Sequence, residues 1–288
     1  KKKLFSKDCC FSRVIKSNAL FHHEAIIHGI EIIKKLVNKH HSNNTISVLD
    51  LACGAEPVSI TDMLSRFPQQ KFSYTGIDIN PDQVNFADKQ FKFPDNIYET
   101  LIFEGNAWDP KSCLLQDKYD IIFMGLNLHH GTPEEVFYLA TQINDLLTKN
   151  GIYLNHDVYR PDDQPYQRRP DHHPDNINDS FHLLEPKLIA GIELPKLTSC
   201  ETEKNNSHAG WRQTYSDLLR QTLIKQNAGL DCADSTYRHV CMRDYPISLN
   251  EFSYIFKKAN NDFDINIIRY GDSHPMMQYI AMPVVTKV

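Results

Sequence analysis

No apolar run in this 288-residue chain approaches the roughly 18 residues of a membrane span, so no span is expected. A basic excess is missing too. Thirty-one Lys and Arg stand against 36 Asp and Glu, a formal net charge of −5, so nucleic acid is not expected as the main substrate. The seven cysteines form no C-x-x-C, and the vicinal pair Cys9-Cys10 is awkward to bridge. This argues against a disulfide framework or a closed zinc site, and for a reducing, cytoplasmic setting. The basic start at residues 1–3 is broken by Asp8 and Arg13, so no secretory leader is expected. There is no P-loop, no Ser-His-Asp order and no internal repeat. Nor is there a G-x-G-x-x-G, because Ala52 and Pro57 stand where an NAD site would need glycines.

What the chain does have is residues 45–57, TISVLDLACGAEP. Alternating β-branched and apolar residues predict a buried strand, followed by a tight turn at Ala52-Cys53-Gly54. A helix is expected from Glu56-Pro57, with proline suited to the first helical position. Strand, small-residue turn and helix N-terminus make a corner that attracts anions. A second strand over 72–79, FSYTGIDI, ends on Asp78, where an acid commonly holds a ribose diol.

Strand and helix alternate along the rest. Helices are expected over 21–37, 58–67, 81–89, 133–147, 211–227 and 248–259, with Asn80 as an N-cap and Ser248 with Glu251 as a capping box. Strands are expected over 98–104, 119–125 and 152–156, and the unbroken apolar run YDIIFMG suits a central strand buried on both faces. Residues 264–270 and 277–285 suggest an antiparallel closing pair. The pattern is that of an α/β, doubly wound sheet of mostly parallel strands with an antiparallel C-terminal edge. Its parts are an N-terminal helical segment (1–44), a core (45–158), an insertion or lid (159–210), and a C-terminal part of the same domain (211–288).

The corner resembles the first motif of class I S-adenosylmethionine (SAM) dependent methyltransferases, D-x-G-x-G-x-G. Asp50 and Gly54 match, Ala52 is a small stand-in, and Glu56 replaces the third glycine. The resemblance runs from about Ser47 to Asp157. It implies a Rossmann-like fold and SAM as cofactor, with Asp50, Ala52, Cys53, Gly54 and Glu56 in the cofactor site. It also implies Asp78 on the ribose and Ile79 beside the adenine. Gly105-Asn106-Ala107 stands for the family's Gly-Asp-Ala, so Asn106 would accept from the adenine amine, with Ala107 beside it and Trp108 covering the purine. Gly125-Leu126-Asn127-Leu128-His129-His130 matches the stretch after strand four and adds Asn127 to the cofactor set. Glu56 has three readings: a helix-end carboxylate, a partner for the methionine ammonium, or a charge that repels the SAM carboxylate.

Methyl transfer needs chiefly in-line positioning and desolvation, with a base only where the acceptor must lose a proton. His129, His130 and His156 are the candidate bases, because they follow strands four and five at the carboxyl edge. Tyr159 and Arg160 are candidates for the surface or for substrate contact. Asp171-His172-His173 and Asp175 invite a metal reading, but neighbouring histidines in an extended loop diverge, and no metal is expected. The expected partner is a small-molecule O or N acceptor. A protein methyltransferase, or a scaffold that binds SAM without catalysis or has lost it, stands as the alternative.

Overall fold

The computed structural model describes residues 10–39, 44–114, 118–164, 210–271 and 273–288. The expectations for a lid and for a metal at 171–175 fall largely or wholly outside them. Seven strands form one sheet: β1 (Ile46–Leu51), β2 (Phe72–Asp78), β3 (Ile97–Glu104), β4 (Tyr119–Gly125), β5 (Leu147–Val158), β6 (Phe263–Arg269) and β7 (Ile280–Lys287). Their order is β3-β2-β1-β4-β5-β7-β6, and all neighbours are parallel except the last two pairs. The expected doubly wound sheet with its antiparallel C-terminal edge is therefore the observed one. Strand order reverses between β1 and β4, and ligands of such sheets bind at that crevice, outside the carboxyl ends.

The period-2 alternation of the strands supplies two apolar faces. Ile46, Val48, Ile121, Phe123 and Leu154 lie with Ile33 and Leu36 of α2 (His22–Val37) and Ile60, Met63 and Leu64 of α3 (Val58–Ser65). Leu49, Leu51, Ile122, Met124 and Tyr153 lie with Val136, Leu139 and Ile143 of α5 (Pro133–Leu146) and Phe252 and Phe256 of a helix at Leu249–Ala259. Each such side chain, fully buried, contributes about 1.5–3 kcal/mol. Local signals agree with this packing. Asn80 caps α4 (Pro81–Lys89) by accepting from Asp82 N at 3.0 Å, and Ser248 and Glu251 form the expected capping box.

Four details differ from expectation. Pro57 is the N-cap of α3 rather than its first residue, with ψ at 50°, because the chain is still leaving the turn there. Strand β5 starts at Leu147 instead of 152: the left-handed Asn150 (φ 64°) and a register shift opposite Tyr119/Ile121 let the strand absorb the turn. Tyr159 and Arg160 are buried, not on the surface. Arg160 N–H donates to Ile247 O at 3.1 Å, its guanidinium pairs with Glu251, and the residue bridges Ser248. The chain thus leaves the sheet after β5 and returns to the same point.

Last, sequence periodicity missed two helices. These are α1 (Cys10–Lys16) and α7 (Leu230–Arg243), which follows α6 (Trp211–Lys225) and precedes α8 (Leu249–Ala259). They build a third core in which Val14, Leu219, Leu223, Cys232, Ala233 and Val240 meet Met276, Tyr279 and Ile280. Arg13 and Asp231 join α1 to α7 at 2.8 Å, an exposed pair worth little by itself. Leu126 and Val158 belong to this core too, so it sits at the carboxyl ends of β4 and β5. Among the described residues, no helix is long and apolar enough to cross a membrane.

Candidate active site

The turn after β1 takes its shape from two left-handed residues. Gly54, at φ 66°, has the freedom for it, whereas Ala52, at φ 59°, does not and is held by its surroundings. Cys53 N–H donates to Ile77 O at 3.0 Å, and Gly54 N–H donates to Asp78 Oδ2 at 3.0 Å. The other Asp78 oxygen accepts from Asn80 N–H at 2.9 Å. A carboxylate has about four lone-pair sites, so Asp78 retains capacity for a ligand after both bonds. Burial pushes its carboxyl up, opposed by the N–H groups of Asn80, Gly54 and Ile79.

Asp50 lies beneath this turn rather than beside its open side. Only 2% of it is exposed, Tyr74 OH donates to its Oδ2 at 2.7 Å, and burial raises its pKa to about 8. It therefore holds its proton at neutral pH and supports the turn from inside. Glu56 is half-buried and accepts from Ser12 Oγ of α1 at 2.7 Å. The helix-end reading weakens, because α3 starts only at Val58.

The loop after β3 continues the same edge. Asn106 Oδ1 accepts from Trp108 N–H, and Trp108 Nε1–H donates to Asn127 Oδ1, both at 3.0 Å. The indole is 3% exposed and lies on Gly131, where an added Cβ would meet ring carbon Cη2 at 2.1 Å. Trp108 is thus a core residue that ties the β3 and β4 loops together; its ring is not an open platform. Ile79 and Asn106 are half-buried and Ala107 is buried along this row.

The turn after β4 repeats the construction of the first. Leu126 is left-handed (φ 52°), and its N–H donates to His156 O at 2.8 Å. Asp157 Oδ2 accepts from Asn127 N–H at 2.9 Å and Leu128 N–H at 2.6 Å. Its Oδ1 lies 2.5 Å from His129 Nδ1. On the other side, His129 Nε2 is 3.5 Å from Asp244 Oδ1. Burial alone would lower His129, but the carboxylates of Asp244 and Asp157 outweigh it and hold it at about 9. Asp244 is itself raised to about 6 by burial, against the pull of His129 and Arg212. His130 is buried beside them, its ring 4.0 Å from that of His129.

His156 is not brought to this cluster. Successive strand residues point to opposite faces, and His156 contacts Tyr270 OH at 2.7 Å and the ring of His22 at 5.1 Å. Burial lowers its pKa to about 4. Sequence reasoning missed His239 and Asp244, which sit in and just after the unforeseen helix α7, and Ser12 on α1. Their only signal was the run from His239 to Asp244, which has no motif spacing.

Residues 48–151 match the sequence profile of a family described as "Methyltransferase domain". This stretch is a methyltransferase domain. It spans β1 to the start of β5 and so contains the turns after the first four strands. Among curated proteins, the non-reducing polyketide synthase ausA of Penicillium brasilianum is 31% identical over 141 residues, covering 48% of this chain and 6% of that protein. Its namesake in Emericella nidulans is 33% identical over the same length and shares. The chain thus corresponds to only a small part of the curated relatives it matches. Among solved structures, the DszA carbon methyltransferase superposes with TM-score 0.56 at 10% identity, covering 99% of this chain and 59% of that one. The plantazolicin methyltransferase BpumL, solved in complex with SAH, gives TM-score 0.53 at 12% identity, with 96% and 88% covered. These likenesses establish the fold of the methyltransferase domain.

Proposed function

We propose that the protein transfers a methyl group from SAM to a small-molecule acceptor at oxygen or nitrogen. The observation that carries this is Asp78. It stands at the switch-point edge, fixed by the N–H groups of Gly54 and Asn80, with acceptor capacity left for a ribose diol. Gly54, Cys53 and Ala52 would lie along the methionine moiety, and Ile79, Asn106 and Ala107 along the adenine, with Asn127 closing the row. SAM supplies a methyl group already activated on a sulfonium, so the chain's task is to align the acceptor and exclude water. A proton lost by the acceptor would fall to His130, because the carboxylates of Asp244 and Asp157 keep His129 protonated and His156 is shut in by His22 and Tyr270.

Calorimetric titration with SAM, with S-adenosylhomocysteine (SAH) and with NAD tests the reading. Micromolar binding of the first two and none of NAD is expected. Failure of both sulfur ligands would overturn it in favour of a scaffold. A second reading, an acidic carbon acceptor, is favoured by the polyketide synthases among the relatives. Turnover of labelled SAM with β-ketothioesters but not with phenols or amines would select it.

A further inference from the structure

A cluster of four side chains at the carboxyl end of β4 converges on one buried carboxylate oxygen. His129, His130, His239 and Asp244 each bring one donor atom to within 4.8 Å of the others. Asp244 is 2% exposed, and its Oδ1 accepts no hydrogen bond among the described residues. A buried acceptor left without a hydrogen bond is costly, about 1–3 kcal/mol. Around this one oxygen stand His129 Nε2 at 3.5 Å, His239 Nε2 at 3.7 Å and His130 Nδ1 at 3.9 Å. These separations are too long for hydrogen bonds. They approach the donor–donor edge of about 3.3 Å in a tetrahedron whose arms are about 2.0 Å.

The surroundings orient one donor further. His129 Nδ1 faces Asp157 Oδ1 at 2.5 Å, which turns Nε2 to the cluster, where an ion would displace its proton. Asp157 is itself fixed by Asn127 and Leu128 N–H. A carboxylate behind an imidazole is how proteins orient a histidine ligand. Arg212 also acts electrostatically on Asp244, but balancing one carboxylate does not require three imidazoles to converge on it.

We propose that His129, His130, His239 and Asp244 bind one divalent transition metal of the zinc class. Three imidazoles and one carboxylate, without thiolate, suit zinc better than copper(I), and nitrogen donors disfavour magnesium and calcium. Four protein donors fill a tetrahedron, so the ion is a clasp that fastens the end of α7 to the turn after β4. The clasp and the base are alternative uses of the same nitrogens: with the ion in place, His129 and His130 take no proton from an acceptor. The proposal stands apart from the assignment of SAM.

The full chain, stripped with a chelator and dialysed, is titrated with Co2+ as a visible probe and with Zn2+ in competition. One equivalent with the absorption of four-coordinate Co2+, and a higher thermal midpoint with Zn2+, are expected. His239→Asn and Asp244→Asn should each weaken Zn2+ by at least roughly 100-fold, and Asp157→Asn by about 10–100-fold. His239 lies partly at the surface, so His239→Asn remains informative should Asp244→Asn fail to fold. No stoichiometric uptake, or unchanged uptake in both ligand variants, overturns the clasp. SAH titration of the same metal-free samples separates the two claims, since either can fail without the other.

Discussion

The turns after β1 and β4 flank the switch point and are built alike, yet one is open and the other closed. Each contains a left-handed residue other than glycine, Ala52 or Leu126. Each is held by a carboxylate from the neighbouring strand, Asp78 from β2 or Asp157 from β5, that accepts backbone N–H groups. Around Asp78 the turn stays half-buried, with Gly54, Ala55 and Glu56 partly accessible. Around Asp157 the turn is mostly closed, with Asn127 alone of its N–H donors partly accessible: Asp157 is fully buried, and the segment after α7 seals the turn through Tyr245 N–H on His129 O at 2.9 Å. One device can therefore present a backbone to a ligand or bury a charge cluster, and the covering element decides which.

Breaking the closed turn should cost most. Asp157→Ala leaves two or more buried N–H groups and His129 without their acceptor, and about 3–5 kcal/mol of stability should go. Chemical denaturation reads this; a loss under 1 kcal/mol would mean that the turn does not depend on its carboxylate.

Next comes the pH response behind that turn. His156 is held neutral, its folded pKa near 4 against 6.5, with His22 on α2 lowered as well. Asp157 and Glu24 oppose the shift of His156 without cancelling it. The unfolded chain then binds more protons between those values, so stability falls as pH drops from about 6.5 to 4, by about 3 kcal/mol for His156. Nothing is lost above pH 7 from this group. In urea midpoints across that window, His156→Gln should flatten the slope; an unaltered slope would remove His156 from the account.

The open turn should respond in binding rather than stability. Asp78→Ala is expected to weaken SAH by about 100-fold, roughly 2.7 kcal/mol, and unchanged affinity would end the cofactor assignment. The smallest effect is expected at Glu56, which Ser12 already engages. Glu56→Ala should shift SAM affinity by no more than about fivefold, in line with about 1 kcal/mol for a part-exposed charge. A gain would identify repulsion of the SAM carboxylate, and a loss would identify pairing with its ammonium.

How much of this was legible follows the same division. The sheet was legible because strands buried on both faces write unbroken apolar runs, as in residues 119–125, and because capping residues sit at fixed offsets, as at Asn80 and Ser248. The row from Gly54 through Asp78 to Asn106 was legible because parallel strands bring their following loops to one edge. Sequence points to Trp108 as a purine cover because it gives a residue's place in a loop, not the direction of its ring. The α7 cluster was invisible for a stronger reason. His239 and Asp244 meet His129 across more than a hundred residues, and no periodicity records that distance. Helix α7 itself alternates apolar and charged residues weakly, because only part of its surface faces the third core.

The return of the chain to Arg160 has a consequence of another kind. Arg160 bridges Ser248, donates its N–H to Ile247 O, and pairs with Glu251 at the head of α8. Both ends of an 87-residue excursion (161–247) are therefore stapled at one place on the sheet. Loop-closure entropy grows only slowly with length, so the length of the excursion weighs little on the strands, whereas α6 and α7 are tied to the ends of β4 and β5 through the third core.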